Sequence, residues 1–337
     1  MLLVSTLVGC QSSPRVGSQV PRDGDEIMVA GQLFNTGTRV VLWTDPDGYD
    51  AYRTERRFAD WNDSSWEATT RSGDGPSGPQ RYNTRSAKST SLRPLSKAEL
   101  EQVRGGGWTL PMLRDRVDQF VLHYDVCGLS ARCFDVLHDH RGLSVHFMLD
   151  IDGTIYQTMD VKERAWHATK ANDRSVGIEI ANMGAYPPPA DPDAEPLLPE
   201  WYDVDGRGPF ITIPSRLEQR YGPNGGVLDT NTWPLRPATS TPVVGNIQGG
   251  DLRQWDLTEP QYDALIKLTA ALNAALPKIE LDYPRDADGN VLSTTMPDED
   301  WETFQGVIGH WHIQDNKIDP GPAFDWDRVV EGARDLR

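Results

Sequence analysis

Two histidines in this chain stand at the ends of short apolar runs. His123 closes Gln119-Phe120-Val121-Leu122, and His310 closes Val307-Ile308-Gly309. Both runs read as short buried strands. A titratable residue at the end of such a strand reaches the mouth of a fold rather than its core. One histidine so placed is more often structural than functional. The segment after His310, GHWHIQDNKIDPGPAFDW, changes that balance. Asp319 lies nine residues beyond His310, directly before Pro320-Gly321-Pro322. The prolines stiffen the turn that presents its carboxylate. Two imidazoles and one carboxylate, with a fourth position open to water, suit catalytic Zn2+. Zinc bound in this way brings the pKa of water toward about 7.

The elements that must hold these side chains are legible around them. Ser96 and Glu99 fit a capping box, so a helix is expected from residue 97. The run 119–124 is a buried strand, and 133–138 a helical turn or more. Residues 144–149 alternate, and Asp152-Gly153 then turns the chain into 154–157, which gives a hairpin. Residues 176–181 form another strand. In it Ile178 and Ile180 face the core, while Glu179 faces the other side. Thr258 and Gln261 form a second capping box, followed by Leu265, Leu268, Leu272 and Leu276 at helical steps up to Pro277. A last strand is expected over 304–309 and a closing helix over 325–336. Strands alternating with helices give an α/β fold, with a central mixed β-sheet flanked by helices and the zinc site at strand ends. Nearer the N-terminus, two β-rich runs within 27–43 flank Asn35-Thr36-Gly37-Thr38 and read as a hairpin. Residues 61–95 read as polar linker or surface loop. Residues 185–255 are rich in Pro and Gly and read as a long loop insertion, either shaping a substrate cleft or passing over the surface. The organisation expected is a signal at 1–10, a tether with a small β segment and linker over 11–95, and one catalytic domain over 96–337.

Five segments in order resemble a known family: FVLHYD, SVHFMLDIDGTIYQ, AWHA at 165–168, NDRSVGIEIAN from Asn172, and the terminal GH…KIDPGPAFDW. The chain resembles the zinc amidases that include type 2 N-acetylmuramoyl-L-alanine amidases, phage amidase lysozymes and peptidoglycan recognition proteins. The resemblance covers about residues 118–183 and 305–326. It implies that His123, His310 and Asp319 are the zinc ligands and that Glu179 is the catalytic acid/base. It implies that Lys317 stabilises the oxyanion, and that His167 lines the substrate groove, with Asn172 beside it. It further implies a disulfide between Cys127 and Cys133, and peptidoglycan or muropeptides as the partner. Val145 stands where phage amidases carry a catalytic tyrosine, which leaves proton transfer to Glu179. His138, His140, His146 and His312 are read as non-ligands, and Asp286-Ala-Asp288-Gly289-Asn290 as a plain turn rather than a calcium loop.

Composition narrows the field without naming a partner. The net charge of −17 disfavours nucleic-acid binding, because phosphate contacts need a basic face. The 30 glycines and 25 prolines among 337 residues imply a loop-rich chain around one sizeable core. The opening MLLVSTLVGC ends in Leu-Val-Gly-Cys and resembles a lipoprotein lipobox, with Cys10 as the lipidated residue. It is also short and lacks a basic n-region, so an apolar N-terminus with an incidental cysteine is the other reading. The first reading places the protein in the cell envelope, periplasmic and lipid-anchored, with membrane contact only through Cys10. Two rivals to wall amide hydrolysis are a non-catalytic peptidoglycan-binding module and a zinc hydrolase of a different amide.

Overall fold

The computed structural model describes residues 22–52, 82–85, 94–189, 197–231 and 233–337. The expected signal with Cys10, the tether up to residue 21, and most of the polar linker lie outside the described residues.

The centre is a six-stranded sheet. Its strands are β3 (Val40–Leu42), β5 (Gln119–Tyr124), β6 (Phe147–Leu149), β7 (Ile155–Gln157), β9 (Ser175–Ile180) and β15 (Gly306–Gly309). They lie in the order β15-β5-β9-β6-β7-β3. The four strands β15, β5, β9 and β6 run parallel, β7 is antiparallel to β6, and β3 is parallel to β7. The mixed α/β architecture is as the sequence implies.

Alternation decides what each face carries. Phe120 and Leu122 of β5, Val176, Ile178 and Ile180 of β9, and Val307 of β15 pack into the largest apolar cluster. Helix α5 (Glu259–Ala275) adds Leu265, Leu268 and Leu272 to it, and α7 (Trp326–Asp335) adds Val329 and Val330. The intervening residues Val121 and Ile308 join a separate cluster on the opposite face with Ala168, Ala171 and Trp301. His123, Glu179 and His310 continue that second set by the same two-residue period. Thus the face that packs against α5 is wholly apolar, and the ionisable groups project from the other side.

Helix ends follow the expected chemistry. Ser96 and Glu99 cap α1 (Lys97–Gly106) reciprocally, and Thr258 and Gln261 cap α5 in the same way. The other helices are α2 (Leu110–Arg116), α3 (Ser130–Phe134), which runs into a π-turn over Asp135–His140, α4 (Ser215–Tyr221) and α6 (Asp298–Thr303).

Two expectations are corrected. The N-terminal hairpin consists of β1 (Glu26–Val29) and β2 (Gln32–Asn35), and it turns at Ala30-Gly31 rather than at 35–38. Ala30 and Gly31 both take positive φ, 52° and 72°, the conformation that two-residue hairpin turns need. The second β-rich run instead forms β3 at the edge of the central sheet. The stretch 185–255, expected as loop, also carries regular structure. It contains β10 (Ala185–Tyr186), the hairpins β11 (Tyr202–Asp205) with β12 (Gly208–Ile211) and β13 (Val243–Ile247) with β14 (Gly250–Gln254), and α4. Leu197, Trp201, Tyr202, Ile211, Leu217 and Trp255 bury their side chains in a second apolar cluster. This cluster also takes in Leu129 and Met183, which flank the site strands, so the insertion is tied to the site's wall. Lastly β4 (Tyr82–Thr84) pairs with β8 (Glu163–Ala165), which clamps the N-terminal region onto the domain.

Candidate metal centre

The C-terminal ends of adjacent parallel strands bring the chemistry together, the usual place for a site in such sheets. In register, His123 of β5 lies opposite Glu179 of β9, and Gly309 of β15 lies opposite Leu122. His310 follows β15 directly. The return loop brings Asp319 back beside it, with Trp311 N–H donating to the Asp319 carbonyl at 3.3 Å. Gly309 allows this approach, since a Cβ there would lie 2.9 Å from Pro320 Cδ.

Three donor atoms converge. His123 Nδ1 lies 2.8 Å from Asp319 Oδ2 and 3.0 Å from His310 Nδ1, and His310 Nδ1 lies 3.0 Å from the same Oδ2. All three residues are buried. Two imidazole nitrogens facing each other at 3.0 Å repel as lone pairs unless a proton or a cation lies between them. The outer nitrogens favour the cation. His310 Nε2 is 2.8 Å from Gln314 Oε1, so it carries the proton and donates. His123 Nε2 is 3.0 Å from His167 Nδ1, and His167 Nε2 is 3.1 Å from Ser175 Oγ. With His123 and His310 each donating outward from Nε2, Nδ1 of both is left as an acceptor, the usual outer-shell arrangement of metal-binding imidazoles. Burial first, and then His310, push the His123 imidazolium down to about 4. Burial alone would raise Asp319, yet the imidazoles of His310 and His123 hold its carboxyl well below the ordinary range. Neutral imidazoles and an ionised carboxylate are the protonation states a metal requires. The residues present therefore fit zinc.

Beside this cluster is a cavity of about 290 Å³ whose lining includes Glu179, Lys317, Tyr124 and Trp166. Glu179 accepts no hydrogen bond among the described residues. Burial first, and then the Asp319 and Asp125 charges, push its carboxyl well above the usual range. A carboxyl shifted upward in this way holds its proton more readily than a solvated one, which suits an acid/base. Lys317 lines the same cavity, and its charge reaches His123. A second cavity of about 480 Å³ adjoins it, lined by Arg141, Arg164, Trp166, Asn172 and Gln314 among others.

The structure places His167 and Asn172 differently from a simple groove. Both border the second cavity, but His167 holds the outer nitrogen of His123. Asn172 Oδ1 accepts from the backbone N–H groups of His167 and Ala168 at 3.2 and 2.7 Å. Asn172 thus positions His167. Gly177 completes the arrangement, because a Cβ there would sit 2.5 Å from His167 Nδ1. The expected disulfide is also corrected. Cys127 and Cys133 are both buried and free. The thiols lie at hydrogen-bonding rather than bonding separation, and that bond, ahead of burial, pushes the Cys133 thiol well above its ordinary value.

Sequence reading missed Gln314, Ser175, Gly177 and Arg85. Gln314 lies one helical turn after His310, and a glycine within a buried strand marks a close approach. Arg85 carried no signal. It is buried and donates to the carbonyls of Val161, Asn172, Asp173 and Ser175, so it braces the turn that carries His167. The four remaining histidines stay outside the cluster. His146 accepts from Gly177 N–H at 3.1 Å and its Nε2 lies 3.0 Å from the Glu163 carbonyl, while His312 accepts from Gly309 N–H at 3.0 Å and donates to the Leu292 carbonyl at 2.7 Å. His138 bonds Asp139 and the Ala51 carbonyl. Residues 286–290 form a turn closed on Asp286 Oδ1.

Fold and site define an α/β protein with a candidate metal centre at its strand ends. Residues 113–197 match the family model described as N-acetylmuramoyl-L-alanine amidase, the family that the ordered motifs resemble. The match includes His123 and Glu179 and ends before His310 and Asp319, which the fold supplies. Several solved structures are similar. A Se-Met AmpD derivative is 18% identical, with 65% of this chain and 86% of that chain covered and a TM-score of 0.31. The endolysin amidase LysCS from Clostridium intestinale URNW is 15% identical over 66% of this chain and 86% of that one, with a TM-score of 0.33. The amidase AmiD from E. coli, in complex with anhydro-N-acetylmuramic acid-L-Ala-D-gamma-Glu-L-Lys, is 17% identical over 64% of this chain and 57% of that one, with a TM-score of 0.34. No curated protein sequence matches the chain.

Proposed function

We propose that this protein is a zinc-dependent N-acetylmuramoyl-L-alanine amidase, which hydrolyses the amide between N-acetylmuramic acid and L-alanine in peptidoglycan. The observation that carries the reading is the meeting of His123 Nδ1, His310 Nδ1 and Asp319 Oδ2 within 3.0 Å beside a half-buried Glu179 whose carboxylate has no hydrogen bond among the described residues. Those three side chains would hold zinc, which when bound would supply Lewis acidity toward water and the scissile carbonyl. Glu179 takes the proton of the attacking water and returns it to the departing L-alanine nitrogen. The Lys317 ammonium offsets the negative charge that develops on the carbonyl oxygen. His167, braced by Ser175, Asn172 and Gly177, keeps His123 in its tautomer and orientation. The cationic groups Arg141, Arg164 and Lys317 around the adjoining cavity suit an acidic stem peptide. That match supports a wall fragment as substrate despite the chain's overall negative charge. The wall context in turn favours the envelope location and lipid anchor expected of Cys10.

The test is mass spectrometry of purified peptidoglycan after digestion, with and without a zinc chelator. Release of free stem peptides beginning at L-alanine, abolished by the chelator and restored by zinc, is the expected result. Intact muropeptides in both samples, with protein sedimenting on the wall, would replace the enzyme with a binding module.

A further inference from the structure

The cavity wall beside the histidines holds a second convergence of ligand atoms that the hydrolysis does not use. The chain reverses after β5 at Val126, which takes a φ of 52°. Asp125 closes that turn by accepting the backbone N–H groups of Cys127, Gly128 and Asn182 at 2.8, 2.9 and 3.2 Å, all on Oδ1. The turn carries Cys127 back against Cys133 of α3. A carboxylate oxygen of Asp125 and the two Sγ atoms then lie within 4.8 Å of one another. Asp125, Cys127 and Cys133 line the same cavity as Glu179.

We propose that Asp125, Cys127 and Cys133 form a second metal site, for a thiophilic d10 divalent cation of the zinc and cadmium type. Two sulfurs and one carboxylate select such ions over magnesium or calcium, which take oxygen ligands. Sulfurs on a tetrahedral ion with bonds of about 2.3 Å stand roughly 3.8 Å apart, within the span already present. Three protein ligands and one face toward a cavity leave a position for a small exchangeable ligand. The backbone donors on Oδ1 fix the carboxylate and leave Oδ2 without a hydrogen bond among the described residues, the outer support that metal-binding carboxylates need. Binding takes the proton from each thiol, so one divalent ion entering releases two protons and forms two metal–sulfur bonds with no change in oxidation state. The ligand set then carries three negative charges against two on the ion. The Arg132 guanidinium lies close enough to act on Asp125 and donates to the Cys127 carbonyl at 3.1 Å, and it offsets the remainder.

The experiment is an anaerobic titration of the reduced full chain with cadmium alone, followed by ultraviolet absorption and by metal content after dialysis. The expected result is a thiolate-to-cadmium charge-transfer band that saturates at one ion, with a second, spectrally silent ion retained at the histidines. Cys127→Ser with Cys133→Ser abolishes the band and lowers the content by one ion, while Cys10→Ser changes neither. His310→Ala keeps the band and loses the silent ion, which also shows that a folded site survives substitution. Absence of the band in the reduced wild-type chain overturns the proposal, and so does an unchanged ion count in the double serine variant. A chain isolated with Cys127 and Cys133 joined in a disulfide, and still without the band after reduction, overturns it equally. Because the band is read without substrate, failure of the amidase reading leaves this result standing, and the reverse.

Discussion

The two ends of β5 and β9 treat buried charge in opposite ways. At the N-terminal end, Asp118 and Arg174 precede the two strands and meet in a fork, Nε to Oδ1 at 2.7 Å and Nη2 to Oδ2 at 2.6 Å. The guanidinium also donates to the carbonyls of Glu302 and Phe304 at 2.8 and 3.1 Å, and both side chains are at most 5% exposed. This end is closed. At the C-terminal end, His123 and Glu179 occupy paired positions on the same two strands. There the acceptors crowd one another, and Glu179 faces a cavity with no partner among the described residues. A protein tolerates uncompensated polar groups in its interior where a ligand completes them. One end of this strand pair is finished by the chain itself, and the other keeps donor atoms that the proposed metal and substrate would complete.

That contrast breaks most directly at the proposed metal ligands. His310→Ala or Asp319→Ala removes a third of the ligand set. Metal content measured by mass spectrometry and amide hydrolysis should fall together, the latter by roughly a thousandfold or more, since several kcal/mol of charge stabilisation goes with the ion. The melting temperature of the metal-free protein should fall only modestly, because His310→Ala gives up the bond to Gln314 and either variant gives up the contact between His310 and Asp319 while relieving the crowding at the cluster. Retained hydrolysis in either variant would end the assignment. Glu179→Gln separates chemistry from metal binding. It should lower turnover on a muropeptide by about 10²–10⁴-fold and leave the metal content intact. A Gln variant that turns over normally with zinc bound would move the proton transfer to another group. At the closed end the effect should reverse. Arg174→Met strands Asp118 in a dry environment and should reduce unfolding stability by about 3–5 kcal/mol in urea titrations. Turnover per folded molecule should stay near wild type, and a selective loss of turnover would show that the two ends are not independent.

Much of this contrast was legible before the fold was known. Period-two alternation placed Glu179 on the side away from the core, the end of an apolar run placed His123 at the mouth of the fold, and Thr258 with Gln261 fixed where the long helix begins. His123, His310 and Asp319 could be singled out because they end strands or abut prolines, features that depend on local sequence, and the structure brings the three together. What escaped depends on contacts between distant segments. Ala30-Gly31 was overlooked because Asn35-Thr36-Gly37 offered a stronger turn composition, whereas pairing of Val40–Leu42 with β7 pulled that run into the main sheet. The strands of 185–255 are short, and their burial comes from Trp201, Tyr202 and Trp255 packing on one another rather than from alternation. Arg85 is the extreme case. Its guanidinium donates to the carbonyls of Val161, Asn172, Asp173 and Ser175, all far along the chain, and no pattern in its own neighbourhood announces that.

His146 sits between the two ends and tests the finer side of the comparison. It is fully buried and satisfied, bonded to Gly177 N–H and beside the Arg85 guanidinium. Burial first, and then the Arg85 charge, push its imidazolium down to about 3. The unfolded chain titrates near 6.5. Above that pH neither state carries the proton, and the group is neutral in its effect on stability. As the pH falls from about 6.5 toward 3, the unfolded chain takes up a proton that the folded chain refuses, so stability is lost across that window. The slope contributed by this one group approaches about 1.4 kcal/mol per pH unit. His146→Asn, which keeps an acceptor for Gly177 without an acidic titration, should flatten the fall in urea-derived stability between pH 6 and pH 4 and be slightly less stable at pH 8. An unchanged acid limb would mean that His146 is protonated in the folded protein and that Arg85 does not press on it.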